Sequence, residues 1–235
     1  MTTKALNKIV RLAGILVAIV IGSFAGSASL FAIVEPGISY GASTSSSTVV
    51  ISQTVLSEVS FAVPASNVSL GPSLGGTAGG TANGGTQVVV KTNDHLGYTM
   101  TIAASSSLGM IGNGSSNDVI PAYVPAATGV PDFAFTVPAN RARFGYTVEA
   151  STTADLDQRF KDDGVSCDTG SGDTAGACWL NASTTAVTIV NRSSQTPLSG
   201  ATTTLKFRVV INPSPSPVLL NDTYVATTTL TATAN

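Results

Sequence analysis

Charge is what this chain has least of. Lys, Arg, Asp and Glu make up 10% of its 235 residues, against about 25% in ordinary soluble domains, so solubility falls to Ser, Thr, Asn and Gly. Histidine occurs once, at His95, and any Ser-His-Asp or Cys-His arrangement would have to use it. It stands in Thr92-Asn-Asp-His-Leu-Gly97, a turn-like stretch where a solvated side chain is expected, and no catalytic residue is assigned. The 2 cysteines, Cys167 and Cys178, are too few for a structural zinc site, which takes four ligands. A basic patch is also missing. Without Lys4, Lys8 and Arg11 the body holds 8 basic against 13 acidic residues, a net charge of −5, which excludes the electrostatic footprint of a nucleic-acid binder.

Long apolar runs are absent except at the N-terminus. Lys4, Lys8 and Arg11 lead into an uncharged run from Leu12 to Val34, and the first acidic residue is Glu35. This is the pattern of an export signal. Residues 1–34 are expected to be a secretory signal peptide, with Ala25, Gly26, Ser27 and Ala28 supplying the small side chains of a cleavage site near 28. The alternative is a retained anchor, since the run is long enough for the ~20 apolar residues that span a bilayer. Basic residues ahead of the run would then leave the N-terminus in the cytoplasm and the body outside. Membrane contact is expected only through residues 9–34, and only if they are retained. Export places the two cysteines in an oxidising compartment, where they are expected to form a disulfide across a Gly- and Asp-rich loop.

Residues 35–47 are Ser-rich and read as a linker, followed by a single domain over 48–235. Period-2 alternation recurs through the domain, and no segment shows a convincing helical period. Val49, Ile51 and Val55, continued by Val59, Phe61 and Val63, mark one or two strands. Gly71 to Gly85, with three Gly-Gly pairs, reads as a flexible loop. Gln87–Lys91 and Tyr98–Ala104 flank the His95 turn, with Tyr98, Met100 and Ile102 on one face. Residues 105–131 read as a long connection. Phe133, Phe135 and Val137 against Phe144, Tyr146 and Val148 read as a hairpin, and 154–163 as one or two helical turns. Val187 and Ile189, then Leu205, Phe207, Val209 and Ile211, then Tyr224, Ala226, Thr228 and Leu230 mark three more strands, with Pro213-Ser-Pro-Ser-Pro217 outside the sheets. The expected fold is all-β: an antiparallel β-sandwich, Ig-like or jelly-roll-like, of eight or nine strands behind the N-terminal hydrophobic segment.

Val59-Ser-Phe-Ala-Val-Pro64, Thr92-Asn-Asp-His-Leu-Gly-Tyr-Thr-Met-Thr-Ile102 and Tyr224-Val-Ala-Thr-Thr-Thr-Leu-Thr-Ala-Thr-Ala234 resemble, in order and spacing, the WxL-type surface domains of Gram-positive bacteria. Tyr98-Thr-Met100 and Thr228-Thr-Leu230 stand where that family carries its two Trp-x-Leu motifs, and the one tryptophan is Trp179. The resemblance implies an exported β-rich module associated non-covalently with the cell wall.

Three groups of residues could carry binding chemistry. Asp155, Asp157, Asp162 and Asp163, with Asp168 and Asp173 beyond them, supply the oxygen ligands a weak extracellular Ca²⁺ site uses, although no EF-hand spacing is present. Trp179, Asp168 and Asp173 could form a sugar site with the indole as stacking platform; the alternative is a ring packed over the disulfide. Glu58 and Glu149 could act as a glycosidase pair only at the right separation, and their outward strand positions favour plain surface charges. Sequons begin at Asn67, Asn113, Asn181, Asn191 and Asn221. The expected function is a non-catalytic, exported structural or adhesion protein at the cell surface, partnered by cell-wall polymer or other surface proteins. Alternatives are a carbohydrate-binding module built around Trp179, or a filament subunit whose segment Ser47 to Leu56 adds to a neighbour's sheet edge.

Overall fold

The computed structural model describes residues 45–114 and 118–235. The signal or anchor segment and linker residues 35–44 lie outside the described residues. The chain divides into two units, Met1–Gln53 and Thr54–Asn235. Of the first, residues 45–53 are described: they are exposed and contain no strand.

The second unit is all-β. Its strands are β1 (Val59–Val63), β2 (Gly80–Thr92), β3 (Tyr98–Ala104), β4 (Gly109–Gly112), β5 (Val119–Pro121), β6 (Ala142–Ala150), β7 (Leu180–Asn181), β8 (Val187–Arg192), β9 (Ala201–Ile211), β10 (Tyr224–Val225) and β11 (Thr228–Ala234). They form three sheets, ordered β1-β2-β9-β6-β7, β11-β3-β8 and β10-β4-β5, and every pairing between named strands is antiparallel. Two 3-10 turns, Thr153–Asp155 and Gln158–Phe160, are the only helical elements among the described residues.

Alternation explains the core. In β9 every second residue, Ala201, Thr203, Leu205, Phe207, Val209 and Ile211, is buried, because successive side chains of a strand point to opposite faces. Tyr98, Met100 and Ile102 of β3 do the same, and they join Val88 and Val90 of β2, Phe144 and Tyr146 of β6 and Ile189 of β8 in one hydrophobic cluster. The cover is incomplete at β1 and β11, a terminal strand of the five-stranded sheet and one of the β11-β3-β8 sheet. Val59 and Phe61 of β1 and Leu230 and Ala232 of β11 are only partly buried against the cluster.

Several expected segments differ. Residues 45–57 form no strand, and β1 begins only at Val59. Val63, expected inward, is exposed because the β1–β2 register shifts between Phe61 and Val63. The Gly-rich stretch is not all loop, since Gly80 to Gly85 pair residue by residue with β9. These glycines sit where other chain crosses closely: a Cβ on Gly84 would lie 2.6 Å from a Val68 methyl, and one on Gly85 2.8 Å from the Leu205 carbonyl oxygen. The long connection contains β4 and β5. Residues 133–137 do not pair with β6; β6 is flanked by β7 and by β9, which is far longer than that segment and buries its full inner face. The segment Tyr224 to Ala234 splits, β10 joining β4 and β11 joining β3.

Candidate functional site

The outward face of the five-stranded sheet carries a second layer. Gly145 of β6 leaves room there: a Cβ at this position would meet the Leu180 carbonyl, the Phe135 ring and Tyr123 at 2.9 to 3.0 Å. Tyr123 stacks on Phe135 with centroids 4.5 Å apart, and Phe135 meets Trp179 edge-on at 5.1 Å. Over the indole lies Arg208 of β9, its guanidinium carbon 4.3 Å from the ring centroid, a cation–π contact. Arg208 Nε also donates to Asn83 Oδ1 at 2.8 Å, and burial pushes its pKa below the ordinary arginine value.

The loop beneath is pinned at each end. Trp179 Nε1 donates to the Gly176 carbonyl at 2.7 Å, Gly176 N–H donates to Glu149 Oε1 at 2.8 Å, and the Thr147 hydroxyl donates to the Ala177 carbonyl. Glu149 Oε1 also receives Lys206 Nζ at 2.5 Å. Between this loop and strands β2 and β9 lies an open cleft of about 500 Å³, floored by Gly84 and Gly85 and edged by Gln87, Lys206, Arg208 and Trp179. Among the described residues Arg208 has no carboxylate partner, so the rim presents one uncompensated guanidinium beside amide and hydroxyl groups.

The sequence-derived candidates are only partly gathered here. Cys167 and Cys178 form a disulfide, both ends buried. Trp179 is 1% exposed, covered by Arg208 and Phe135, so its ring is not an open platform for a sugar. Asp168 is exposed at a positive-φ turn, and neither it nor Asp173 borders the cleft. Asp173 accepts from Ala150 N–H at 3.2 Å, and burial together with the nearby Glu149 and Asp162 charges raises its pKa.

The acidic residues Asp155, Asp157, Asp162 and Asp163 are engaged by arginine side chains or by loop backbone. Asp155 pairs with Arg192 at 2.6 Å and Asp157 with Arg159 at 2.8 Å. Asp162, fully within the fold, accepts at Oδ1 from Gly164 N–H and the Thr174 hydroxyl and at Oδ2 from Thr174 N–H, at 2.7 to 2.9 Å. Burial would raise its pKa, but these three donors outweigh it and hold the carboxyl below the usual range. Asp163 is held low by Ser166 and Val165 N–H. Among the described residues no three His, Cys, Asp or Glu side chains converge as metal ligands, so the calcium candidates Asp155, Asp157, Asp162 and Asp163 are not brought into one shell.

Elsewhere the same use recurs. Tyr123 donates to Asp132 at 2.6 Å, and burial with that bond lifts its pKa to about 12. His95 is a turn residue with 87% of its side chain exposed, 3.8 Å from Asp94. Ser73 lies in Gly71-Pro-Ser-Leu-Gly75, the Gly-x-Ser-x-Gly spacing of a nucleophile elbow. That motif needs a strand-to-helix turn, and Ser73 precedes strand β2 with no helix after it. Arg208 could have been singled out as a cation on the outward parity of a strand, but nothing local links it to Trp179, which reaches it through the folded loop. Compared with known proteins, the chain matches no family model, no curated protein and no solved structure.

Proposed function

We propose that this chain is a non-catalytic, exported surface protein whose body is a β-sandwich, the five-stranded sheet facing the other two. The observation that carries the reading is the use made of its carboxylates. Asp118, Asp132, Asp155, Asp157, Asp162, Asp163 and Glu149 each accept hydrogen bonds or ion pairs that fix loops on the sheets. A catalytic carboxylate is positioned to meet substrate; these meet backbone amides and the arginine, lysine and tyrosine side chains of their own fold. The disulfide fits an oxidising compartment, and the basic N-terminus leading into an uncharged run from Leu12 to Val34 fits export. The WxL resemblance adds the cell wall as the surface concerned. Cell fractionation, a pull-down with purified cell walls and a hydrolase activity screen test the reading together. A surface-located, wall-retained and inactive protein is the expected result. Turnover abolished by His95→Ala overturns it.

A carbohydrate-binding module is the second reading, favoured by the Arg208 guanidinium at the rim of the glycine-floored cleft. It recruits Arg208, Lys206 and Gln87 rather than the face of Trp179. A glycan array on the wild-type protein and Arg208→Ala decides it: binding by neither protein rejects it.

A further inference from the structure

Three rungs of the β2–β9 ladder floor the open cleft beside Trp179. Asn83 stands opposite Arg208, Gly85 opposite Lys206 and Gln87 opposite Thr204. All six border the cleft on the outward parity of their strands, and none is buried.

The two ends of this row differ in chemistry. At one end Arg208 is held on two sides, its Nε bonded to Asn83 and its face lying on the Trp179 indole. Its Nη1 and Nη2 have no hydrogen-bond partner among the described residues, and neither is a buried unsatisfied atom, so the fork of the guanidinium is open to solvent. At the other end Gln87 Nε2 donates to Thr204 Oγ1 at 3.3 Å, which leaves the amide oxygen and the threonine O–H of that rung unused among the described residues. The middle is bare. Gly85 has no side chain, and the Lys206 ammonium is taken by Glu149 Oε1, which leaves Arg208 the one cation of the row without a carboxylate. Residues 83 to 87 span about 13 Å at the rise of a strand, room for more than one sugar ring. The cleft volume of about 500 Å³ lies within the range of small-molecule sites, about 300 to 1,000 Å³.

A pre-oriented fork with no carboxylate of its own matches one carboxylate or phosphate bidentately. The Gln87–Thr204 rung complements sugar hydroxyls. β2 and β9 pair with each other from Gly80 to Val90, so the floor has no free backbone ladder for an extended peptide. We propose that the cleft binds an acidic oligosaccharide, with the carboxylate or phosphate of one ring on Arg208 Nη1 and Nη2 and the hydroxyls of a neighbouring ring on Gln87 and Thr204. This rests on the carbohydrate-binding reading and names the ligand class within it.

The test titrates the purified full chain in detergent and reads the emission of its one tryptophan, Trp179, on which Arg208 lies. The probes are trigalacturonate, its methyl ester, phosphorylated maltotriose, plain maltotriose, triglutamate and sodium acetate. Saturable binding of trigalacturonate or phosphorylated maltotriose is the expected result, the better of the two telling carboxylate from phosphate. Its uncharged counterpart should bind about tenfold more weakly or worse, the scale of a charged hydrogen bond. Calorimetry repeats the titrations on two variants. Arg208→Lys, which keeps the charge and loses the fork, should weaken the acidic probe by a similar factor, and Gln87→Ala should weaken it while leaving acetate unchanged. Equal affinity for the acid and its uncharged counterpart overturns the anion and leaves the carbohydrate reading standing. Acetate bound as tightly as either acidic sugar defeats the carbohydrate reading and leaves Arg208 an anion receptor. Triglutamate bound as tightly as the acidic sugar overturns the glycan in favour of an acidic peptide. No binding of any probe, or binding undiminished in Arg208→Lys, overturns the site.

Discussion

Arg208 and Trp179 form one unit, a guanidinium 4.3 Å above an indole that is itself bonded to the loop backbone at Gly176. The cation seals a ring that sequence alone leaves open to solvent. Arg208→Ala should therefore uncover Trp179. Cation–π contacts are worth about 0.5 to 2 kcal/mol, and a loss of roughly 1 kcal/mol is expected in urea unfolding. Acrylamide should quench the tryptophan emission of the variant more strongly than that of the wild type. Equal quenching in the two proteins contradicts the cover.

A second prediction concerns acid. Asp162 has its pKa depressed in the folded state by Thr174 and Gly164 donors. A depressed carboxylate contributes stability that is present above its unfolded pKa, near 4, and lost as pH falls through the lower folded value. Asp173 is raised by burial and nearby charge, so its contribution runs the other way and favours the fold as it protonates. Thermal unfolding followed from pH 7 to pH 2 should show Asp162→Asn less stable than wild type at neutral pH, with the gap narrowing below pH 4. Asp173→Asn should show the opposite sign at pH 7. Parallel melting curves for Asp162→Asn and wild type over the whole range would exclude the role assigned to Asp162.

The strand glycines give a third. Gly85→Ala drives a methyl toward the Leu205 backbone oxygen at 2.8 Å, while the two nearest contacts of Gly84→Ala, at 2.6 and 2.9 Å, are the side-chain tips of Val68 and Leu70. Backbone in the β2–β9 pair yields less readily than the side-chain tips of Val68 and Leu70. Gly85→Ala should cost about 1 to 3 kcal/mol, the usual range for overpacking, and Gly84→Ala less. Chemical denaturation of both variants ranks them, and the reverse order would mean the β2–β9 pair is the softer one.

Those glycines also show where the sequence stops being legible. The parity of β3, β9 and the inward residues near the C-terminus could be read directly, because one buried face imposes a period of 2. Gly80, Gly84 and Gly85 carry no side chain and leave only Thr81, Ala82 and Asn83 between them to alternate, so a paired strand looked like a loop. The hairpin expected from Phe133 and Phe135 failed for a related reason: Phe135 serves the outer layer over Gly145 and Phe133 packs against the hydrophobic cluster, and neither joins a ladder with β6. Of the candidate site, the disulfide followed from cysteine count and compartment. The Arg208–Trp179 contact joins residues on separate elements, and only the fold brings them together.

The last prediction concerns the Cys167–Cys178 bond. The chain between them is Gly-, Asp- and Thr-rich, with Ala as its only apolar side chain, so the covalent link is a main source of its order. The chain-entropy model gives about 2 to 3 kcal/mol for closing a loop of this size. The bond also sits within the hydrophobic cluster, and Cys178 holds a positive φ of 57° beside Trp179. Replacing both residues by serine should therefore reach the upper part of that range, because two hydroxyls are left where sulfur was buried. The strands β2, β3, β6 and β9 are built from other residues, so far-ultraviolet circular dichroism should keep its β signature while Trp179 emission shifts to the red. Alkylation without reductant, followed by intact mass, checks the premise on protein from the native cell. Two added alkyl groups would show free thiols, contradicting both the ordered loop and the oxidising compartment.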